Sequence, residues 1–593
     1  MSLILGIASS HDASACVFRD GQLVAAMSEE RLSRIKCDGG HLPNLAIDAC
    51  LQMAGATRQE VDHIASIYGH FPDRYLRRPT LAKNVERTLS RLVKGLRGKT
   101  EETHYYGNNI LKYLRDEPSV QGKGKRFEDY FRTPDFLKGE GFRADCQVHF
   151  FDHHLTHAAA AAVYSGFDEA AVITMDGEGD LDMHHGSYLW RDGRIEPRHI
   201  SDTPGNSPGY FYMAITELLG FMPLRHEGKV LGLAAFGDPA PLLDKLRAAL
   251  RLSADGHGFT SDFAGVPNAY NAREAYLKAA IVGHSRETVA AAAQTVFEEV
   301  IVALVQHFLQ ETGMKRLAVN GGVFANVKLN QRIAALPECE QVFVFPGMSD
   351  TGNSVGAALL LQDRLQAGFF SQSHPPLAHV YWGQHPTNDA IRAELTRRGL
   401  NFVECTQAEL VERAAQAIYA KQVIGWFQGA MEFGPRALGN RSMVAAPTDK
   451  SINDWFNARL ERSEFMPFAP SALAEYADEV FENVEPARHA AEFMTITFDV
   501  KQEWQTRIPA VVHVDGTARP QLVRRDRNPR YWALIERYRQ LSGIPLVLNT
   551  SFNVHEEPIV CGPKEGVQAL VDQRIDHLAI GDFWVDGSQI AAK

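Results

Sequence analysis

Asp152-His153-His154-Leu155-Thr156-His157 stands immediately before an alanine run, Ala158–Ala162. Alanine is the strongest helix former, and Asp152 is suited to cap the helix that the run predicts. His153 and His157 are four apart, so they share one helix face and can reach one ion. Two loop carboxylates complete a four-ligand set. Asp176 follows an apolar strand and opens the loop Asp176-Gly177-Glu178-Gly179-Asp180, and Asp350 lies in Met348-Ser349-Asp350-Thr351-Gly352-Asn353 at a strand-to-helix switch. Imidazole nitrogens combined with carboxylate oxygens suit Fe(II), Mn or Zn better than Mg. The spacing alone leaves a metal site and a structural histidine pair both open.

Other stretches have the chemistry of phosphate binding. Glycines at helix starts let backbone N–H groups approach an anion. Three segments have that character: Asp176–Asp180, Gly228-Lys229-Val230-Leu231-Gly232 and Asn320-Gly321-Gly322-Val323-Phe324-Ala325-Asn326. Asp176, Gly177, Gly179, Lys229, Gly321, Gly322 and Asn326 are therefore the nucleotide-binding candidates. None of these segments is a Walker A loop or a Rossmann fingerprint. Later, Met431-Glu432-Phe433-Gly434-Pro435-Arg436-Ala437-Leu438-Gly439-Asn440-Arg441-Ser442 holds two arginines five apart. They can clamp a phosphate by bidentate hydrogen bonds; a surface loop with two solvated arginines is the alternative. His513, Arg519, Asn549 and Ser551 stand at the ends of apolar runs, where α/β folds usually place their sites.

The elements that must position these groups show an internal echo. Residues 3–8 form an apolar run, followed by the polar loop Ser9-Ser10-His11-Asp12, a second strand Ala15–Phe18, the turn Asp20-Gly21 and a third strand Leu23–Met27. Ala170–Met175, Asp176–Asp180, Gly186–Trp190 and Asp192-Gly193 repeat that order. Asp-Gly between alternating apolar segments predicts a hairpin, and the recurrence predicts a duplicated unit with one loop of each copy facing a shared cleft. Residues 70–145, with Arg77, Arg78, Lys83, Arg87, Arg91, Lys94, Arg97 and Lys99 crowded together, read as an insertion on the first copy, either a solvated face or a lid. Residues 371–378 read as a linker. The chain divides into 1–370 and 379–593, the latter with a helix near 385–398 and strands at Val423–Phe427, Ala510–Val514 and Pro545–Asn549. Alternation of strands and helices predicts α/β architecture.

Composition narrows the function classes. With 45% hydrophobic and 22% charged residues among 593, the chain is ordinary for a globular protein. Its net charge of −11 provides no field to recruit nucleic acid or an anionic membrane. No uninterrupted apolar run reaches the roughly 18 residues of a membrane span, and the first residues lack a signal peptide's charged region. The seven scattered cysteines never form a C-x-x-C pair, which argues against a disulfide framework and for a reducing, cytoplasmic compartment. A homodimer is compatible with the sequence.

Together SSHDASACV, SEERLSRIKCDGG, DHHLTHAAAA, MDGEGD, EGKVLGLAAFG, VNGGVFANVKLN, SDTGNSVGAAL, MEFGPRALGNRS, FMPFAPS, VVHVDGTARPQ and LNTSFNVHEEPIVCGP resemble, in order and from Gly6 to near Val585, the ATP-dependent O-carbamoyltransferases of the NodU-like family. The resemblance implies a duplicated actin/Hsp70-like ATPase domain followed by a YrdC-like α/β domain. It implies that the second domain makes carbamoyl-adenylate from carbamoyl phosphate and ATP, with Mg-ATP as co-substrate, and that the first passes the carbamoyl group to a small-molecule hydroxyl acceptor. Carried over residue by residue, it implies Fe(II) on His153, His157, Asp176 and Asp350. His11 and Asp12 fall in a catalytic loop, His11 as general base or donor-orienting group. Arg436, Arg441, Arg519, Asn549, Ser551 and His513 fall in a carbamoyl-phosphate pocket. In Arg462-Ser463-Glu464-Phe465-Met466-Pro467-Phe468-Ala469-Pro470 the chain departs from the family, because Met466 replaces an arginine and the acid is displaced by one. Two alternatives are a tRNA threonylcarbamoyladenosine-type enzyme, which the net charge and the C-terminal motifs disfavour, and a non-catalytic Hsp70-like ATP-binding module, which the histidine set disfavours.

Overall fold

In a computed structural model, which describes residues 2–67, 138–180, 183–201, 206–264, 269–460 and 467–589, the two hairpins of the sequence echo belong to two sheets of the same design. Leu3–Ala8 (β1), Ser14–Arg19 (β2) and Gln22–Ser28 (β3) form an antiparallel meander, and His63–Ile67 (β4) and Gln147–Phe151 (β5) run parallel to β1, in the order β3-β2-β1-β4-β5. The second sheet holds Ala170–Met175 (β6), His185–Arg191 (β7) and Arg194–Ile200 (β8). A short hairpin, Arg251–Leu252 (β9) and Phe259–Thr260 (β10), precedes its remaining strands, Arg316–Asn320 (β11) and Gln341–Val344 (β12). Its order is β12-β11-β6-β7-β8, with every pairing direction matching the first. Both hairpin turns have φ > 0 at Asp and Gly, 51° and 78° at Asp20-Gly21 and 50° and 67° at Asp192-Gly193. That backbone matches the twist of the strands it joins.

The helix after each sheet packs on the other sheet. His153–Ser165 follows β5 and lies against β6 and β11, whereas Asn353–Leu365 follows β12 and lies against β1 and β4. The two helices also pack on each other. Ala158–Ala162 are all buried, as a helix enclosed on every side requires. Small residues set the spacing: a Cβ on Gly356 would fall 1.9 Å from the Thr156 carbonyl oxygen, and one on Gly6 would fall 2.2 Å from that of Ser354.

Among the described residues one helix, Arg286–Thr312, is long and apolar enough to cross a membrane by length and composition. Charged residues interrupt it, and Val296, Phe297, Ile301, Leu304, Val305 and Phe308 are buried in the protein core.

The C-terminal part is a mixed sheet. Its strands are Val403–Glu404 (β13), Ile424–Phe427 (β14), Arg441–Ala445 (β15), Ala469–Leu473 (β16), Gln521–Val523 (β19, after the small pair β17, Phe498–Asp499, and β18, Thr517–Ala518), Leu546–Ser551 (β20), His577–Ile580 (β21) and Phe583–Asp586 (β22). They lie in the order β13-β22-β21-β14-β15-β20-β16-β19. The helix expected near 385–398 is Asn388–Arg397. The expected strand at Ala510–Val514 is instead an irregular turn, in which the Ala510 N–H donates to Pro447 and that of His513 to Thr517. A short apolar run buries its side chains equally well in either form. Residues 371–378 have no regular structure, and the Leu377 N–H donates to the Tyr164 carbonyl at 2.9 Å. The basic stretch of the expected 70–145 insertion lies outside the described residues, as does Met466.

Gly356→Ala should force the two crossing helices apart or strain their backbone, at a cost of about 1–3 kcal/mol. Thermal denaturation of the variant should show a lower melting temperature, and an unchanged melt would mean that the close approach is not needed.

Candidate functional site

Four chain segments meet where the two crossing helices begin. Asp152 caps the first of them, its Oδ1 accepting from Leu155 N–H at 2.8 Å, and this sets His153 and His157 on the first two turns. Asp180 Oδ2 accepts from the His153 N–H at 3.0 Å. Asp176 directly follows β6, and a short 3₁₀ turn, Asp350–Gly352, presents Asp350 at the head of the second helix. His157 Nε2 lies 3.2 Å from Asp176 Oδ2 and 3.6 Å from Asp350 Oδ1; His153 Nε2 lies 3.5 and 3.4 Å from the same atoms. One ligand atom from each of the four residues falls within 4.8 Å of the others.

The electrostatics of the cluster are tight. Burial alone would lower the His153 imidazole, but Asp350 and Asp176 outweigh it and raise it to about 9. Burial would likewise raise the Asp350 carboxyl, yet His153 and His11 hold it well below the usual carboxylate range. His154, between the two, faces away: its ring nitrogens meet Thr174 Oγ1 at 3.0 Å and the Met183 carbonyl at 3.2 Å, and burial pushes its pKa well down. Asp176 Oδ2 and Asp350 Oδ1 are buried and have no geometrically sound hydrogen bond among the described residues. Buried carboxylate oxygens aimed at two imidazoles suit a divalent cation, and this donor set fits Fe(II), Mn(II) or Zn(II).

His11, in the β1–β2 loop, reaches the same point. Its Nδ1 is 3.1 Å from Asp350 Oδ2, and its Nε2 is 3.6 Å from Asp12 Oδ2. Burial raises the Asp12 carboxyl although His11 stands beside it. The glycine loops adjoin the cluster. A Cβ on Gly179 would touch the His153 ring at 2.9 Å, and one on Gly322 would lie 3.1 Å from Asp176 Oδ1. Gly321, at φ +107°, runs so close to β6 that a Cβ would meet the Met175 carbonyl at 2.0 Å. Gly177 lies against the Tyr210 ring.

Two nucleotide candidates are placed differently from expectation. Gly228–Gly232 is no loop but part of the helix Glu227–Ala234, with Lys229 buried on it. Asn326 is a helix cap: its Oδ1 accepts from Leu329 N–H at 3.1 Å and its Nδ2 donates to Gln294 at 2.9 Å, which occupies both ends of the amide.

In the C-terminal part, Arg436 and Arg441 do not form a matched clamp. The Arg441 guanidinium donates to the carbonyls of Gln428 (2.6 Å), Asn440 (2.9 Å), Gln384 (3.1 Å) and Gly429 (3.2 Å) and stacks on Phe427. It holds the loop together instead of facing an anion. Arg436 has no ion pair among the described residues; its Nε is buried without a hydrogen bond, and burial lowers its pKa to about 10. Asn549 supports that arginine's loop, its Nδ2 donating to the Ala437 carbonyl (3.1 Å) and to Ser471 Oγ (2.9 Å). Gln521, two residues after Arg519, donates to the Leu438 carbonyl at 2.8 Å. Ser551 Oγ donates to Asn553. His513 stands apart, paired with Asp515 at 3.2 Å and edge-on to Phe236.

The arginine loop touches the N-terminal part. Arg31 Nη2 donates to the Gly434 carbonyl at 2.8 Å, and a Cβ on Gly434 would lie 3.0 Å from the Pro346 carbonyl, four residues before Asp350. Arg34 donates to the carbonyls of Pro558 and Ile559 at 2.6 and 2.8 Å.

The chain belongs to the carbamoyltransferase family: the family model described as carbamoyltransferase N-terminus matches residues 3–359, and that described as carbamoyltransferase C-terminus matches residues 415–587. It is therefore an enzyme of carbamoyl transfer. Among its relatives is nodulation protein NolNO of Sinorhizobium fredii, 33% identical over 586 residues, with 97% of this chain and 79% of that protein covered. Nodulation protein NolO of Bradyrhizobium diazoefficiens is 34% identical over 441 residues, covering 73% of this chain and 78% of that protein. A looser likeness is to the solved structure of full-length HypF in the phosphate- and nucleotide-bound form, with a TM-score of 0.31 and 12% identity over 62% of this chain and 47% of that one.

Glu432 is a residue that spacing alone did not single out. Its Oε1 accepts three backbone N–H groups, from Leu438 (2.7 Å), Asn440 (2.8 Å) and Arg441 (3.1 Å). A buried acid inside a Gly-Pro-Arg loop was the only available signal. Glu432→Ala should cost about 3 kcal/mol, since charged hydrogen bonds are lost and buried donors are left unpaired. Glu432→Gln, whose amide oxygen can still accept, should recover part of that. Denaturant unfolding of both variants checks this; equal losses would mean that the acceptor oxygen is not what organises the loop.

Proposed function

We propose that this enzyme is an O-carbamoyltransferase with two sites in one chain. The C-terminal part, a YrdC-like domain in this reading, makes carbamoyl-adenylate from carbamoyl phosphate and ATP. The N-terminal part, a duplicated actin/Hsp70-like domain, transfers the carbamoyl group to a hydroxyl of a natural-product acceptor in the cytoplasm. The observation that carries the reading is the convergence of His153, His157, Asp176 and Asp350 within 4.8 Å at the start of the crossing helices. The arginine loop, in a separate element, is the second support.

In this mechanism carbamoyl phosphate loses its phosphate to water, a carbamate oxygen attacks the α-phosphorus of ATP, and pyrophosphate leaves. Arg436, half-buried and with no ion pair among the described residues, binds the anion, while Glu432, Arg441 and Asn549 hold its loop. A carbamoyl-adenylate hydrolyses readily, so this reading gives weight to the contacts of Gly434 with Arg31 and Pro346, which join the two parts of the chain that the intermediate must pass between. The acceptor oxygen then attacks the carbamoyl carbon, the bond from that carbon to the phosphate oxygen breaks, and AMP leaves. His11 stands where it can take the acceptor proton on Nε2 while Asp350 fixes Nδ1. A divalent ion, with Fe(II) favoured, would be held by His153, His157, Asp176 and Asp350 and would supply Lewis-acid stabilisation of phosphate and carbonyl charge.

His157→Ala should abolish formation of a product about 43 Da heavier than the acceptor while leaving carbamoyl-phosphate-dependent pyrophosphate release, as checked by mass spectrometry and a pyrophosphate assay. Arg436→Ala should do the reverse at the first step, weakening carbamoyl phosphate roughly ten- to a hundredfold, the worth of a charged hydrogen bond of about 1.5–3 kcal/mol. Loss of both half-reactions in a normally melting His157→Ala protein would overturn the division of labour.

A further inference from the structure

One carboxylate of the C-terminal part reaches across to the loops that carry His11. Glu556 lies in the loop after β20 and meets two consecutive residues of the N-terminal part. Its Oε2 accepts from Arg225 Nη1 at 3.1 Å, and its Oε1 accepts from His226 Nε2 at 2.8 Å. We propose that Glu556 is a positioning residue for His11, holding the loop packed against it from across the junction of the two parts.

The contacts form an unbroken path. The Met222 N–H donates to His226 Nδ1 at 3.2 Å, so the ring proton is on Nε2 and faces Glu556. Arg225 bridges: the nitrogen that does not meet Glu556, Nη2, donates to the Lys36 carbonyl at 2.7 Å. The segment that begins at Lys36 is laid directly on the β1–β2 loop. The Gly40 N–H donates to the Ser10 carbonyl at 2.6 Å, and the Ala13 N–H donates to the Asp38 carbonyl at 3.1 Å. A Cβ on Gly39 would fall 2.1 Å from the Ser10 carbonyl oxygen, so the two loops cannot shift independently. His11 stands between those two hydrogen bonds, with Nδ1 3.1 Å from Asp350 Oδ2.

The other end of the path is the arginine loop. The Phe552 N–H donates to the Arg441 carbonyl at 3.1 Å, and the Val560 N–H donates to the Phe552 carbonyl at 2.9 Å, which anchors both flanks of Glu556. The hydrogen bond from His226 and the charge of Lys36 outweigh burial and hold the Glu556 carboxyl down at about 2, so it stays ionised. The Arg225 side chain is 7% exposed, so its pair with Glu556 is little screened by salt. All three loops contain non-glycine residues in left-handed backbone: Arg34 (φ 62°) and Cys37 (52°), Leu224 (67°), and Glu556 itself (61°). Such residues are uncommon and persist where the surrounding contacts over-determine them. Arg34, which donates to the Pro558 and Ile559 carbonyls, joins the parts independently, so replacing Glu556 leaves them attached.

The test reads the His11 ring in the full chain. The protein is treated with diethylpyrocarbonate, and modification of each histidine is followed by mass spectrometry of its peptides. The His11 side chain is 13% exposed and should react slowly in the wild type. In Glu556→Ala it should react roughly tenfold faster, the factor by which losing one charged hydrogen bond eases local opening. Amide exchange over 9–13 and 36–40 should quicken with it, while His257 in the β9–β10 turn keeps its rate. Glu556→Gln, whose amide oxygen can still accept, should fall between, and it carries the test if Glu556→Ala melts abnormally. The inference rests on the role proposed for His11, but the readout scores the ring and not turnover. Failure of carbamoyl transfer would therefore count against that role and leave the positioning to be judged alone. An unchanged His11 rate and unchanged exchange in a normally melting Glu556 variant would overturn the inference, as would an equal rise at His11 and His257.

Discussion

The contact between the two crossing helices is the constraint on which the rest depends. Each helix leaves one sheet and covers the other, and they can pass only because Gly356 meets the Thr156 carbonyl where a Cβ would lie 1.9 Å away. That crossing brings both helix starts to one point. The first start carries His153 and His157, and the second carries Asp350. The loops that follow the first strand of each sheet, with His11 and Asp176, point to the same place because the sheets share one strand order. The duplication is thus the device that assembles the site, since each copy delivers one loop and one helix start.

Charge holds the assembled cluster together. A buried carboxylate or imidazolium alone is costly, but each is compensated here by its neighbours, which is why the His153 pKa is raised to about 9 and that of Asp350 is held well down. The C-terminal loop follows a different plan. Its acid, Glu432, is taken up by backbone N–H groups and Arg441 by backbone carbonyls, whereas Arg436 has no ion pair among the described residues. In the proposed mechanism this difference is what leaves Arg436, and not Arg441, to meet the incoming anion.

Much of this was legible in the residues. The i, i+4 histidines with an N-cap residue and an alanine run predicted a helix with both imidazoles on one face; that this face is buried against two carboxylates was not legible locally. The Asp-Gly turns announced the two meanders, because few other dipeptides accept two positive φ values. Long-range satisfaction of polar groups was not legible. Nothing local distinguishes Arg436 from Arg441, since the carbonyls that occupy Arg441 come from Gln384, Gln428, Gly429 and Asn440, brought in by the fold. Asn326 looked like part of a nucleotide turn because its hydrogen bond to Gln294 depends on a helix more than thirty residues upstream. Ala510–Val514 read as a strand because a short apolar run has the same composition in a strand and in a turn; Ala510 and Val511 are buried, whereas Val514 is 53% exposed.

In the proposed mechanism four residues from three separate elements hold one ion at the crossing. Crystals of the protein grown with Fe(II) under anaerobic conditions and measured on both sides of the iron absorption edge test it most directly. A single strong anomalous peak is expected in contact with His153 Nε2, His157 Nε2, Asp176 and Asp350. An anomalous peak that touches fewer than three of these residues, or none at the crossing, would contradict it.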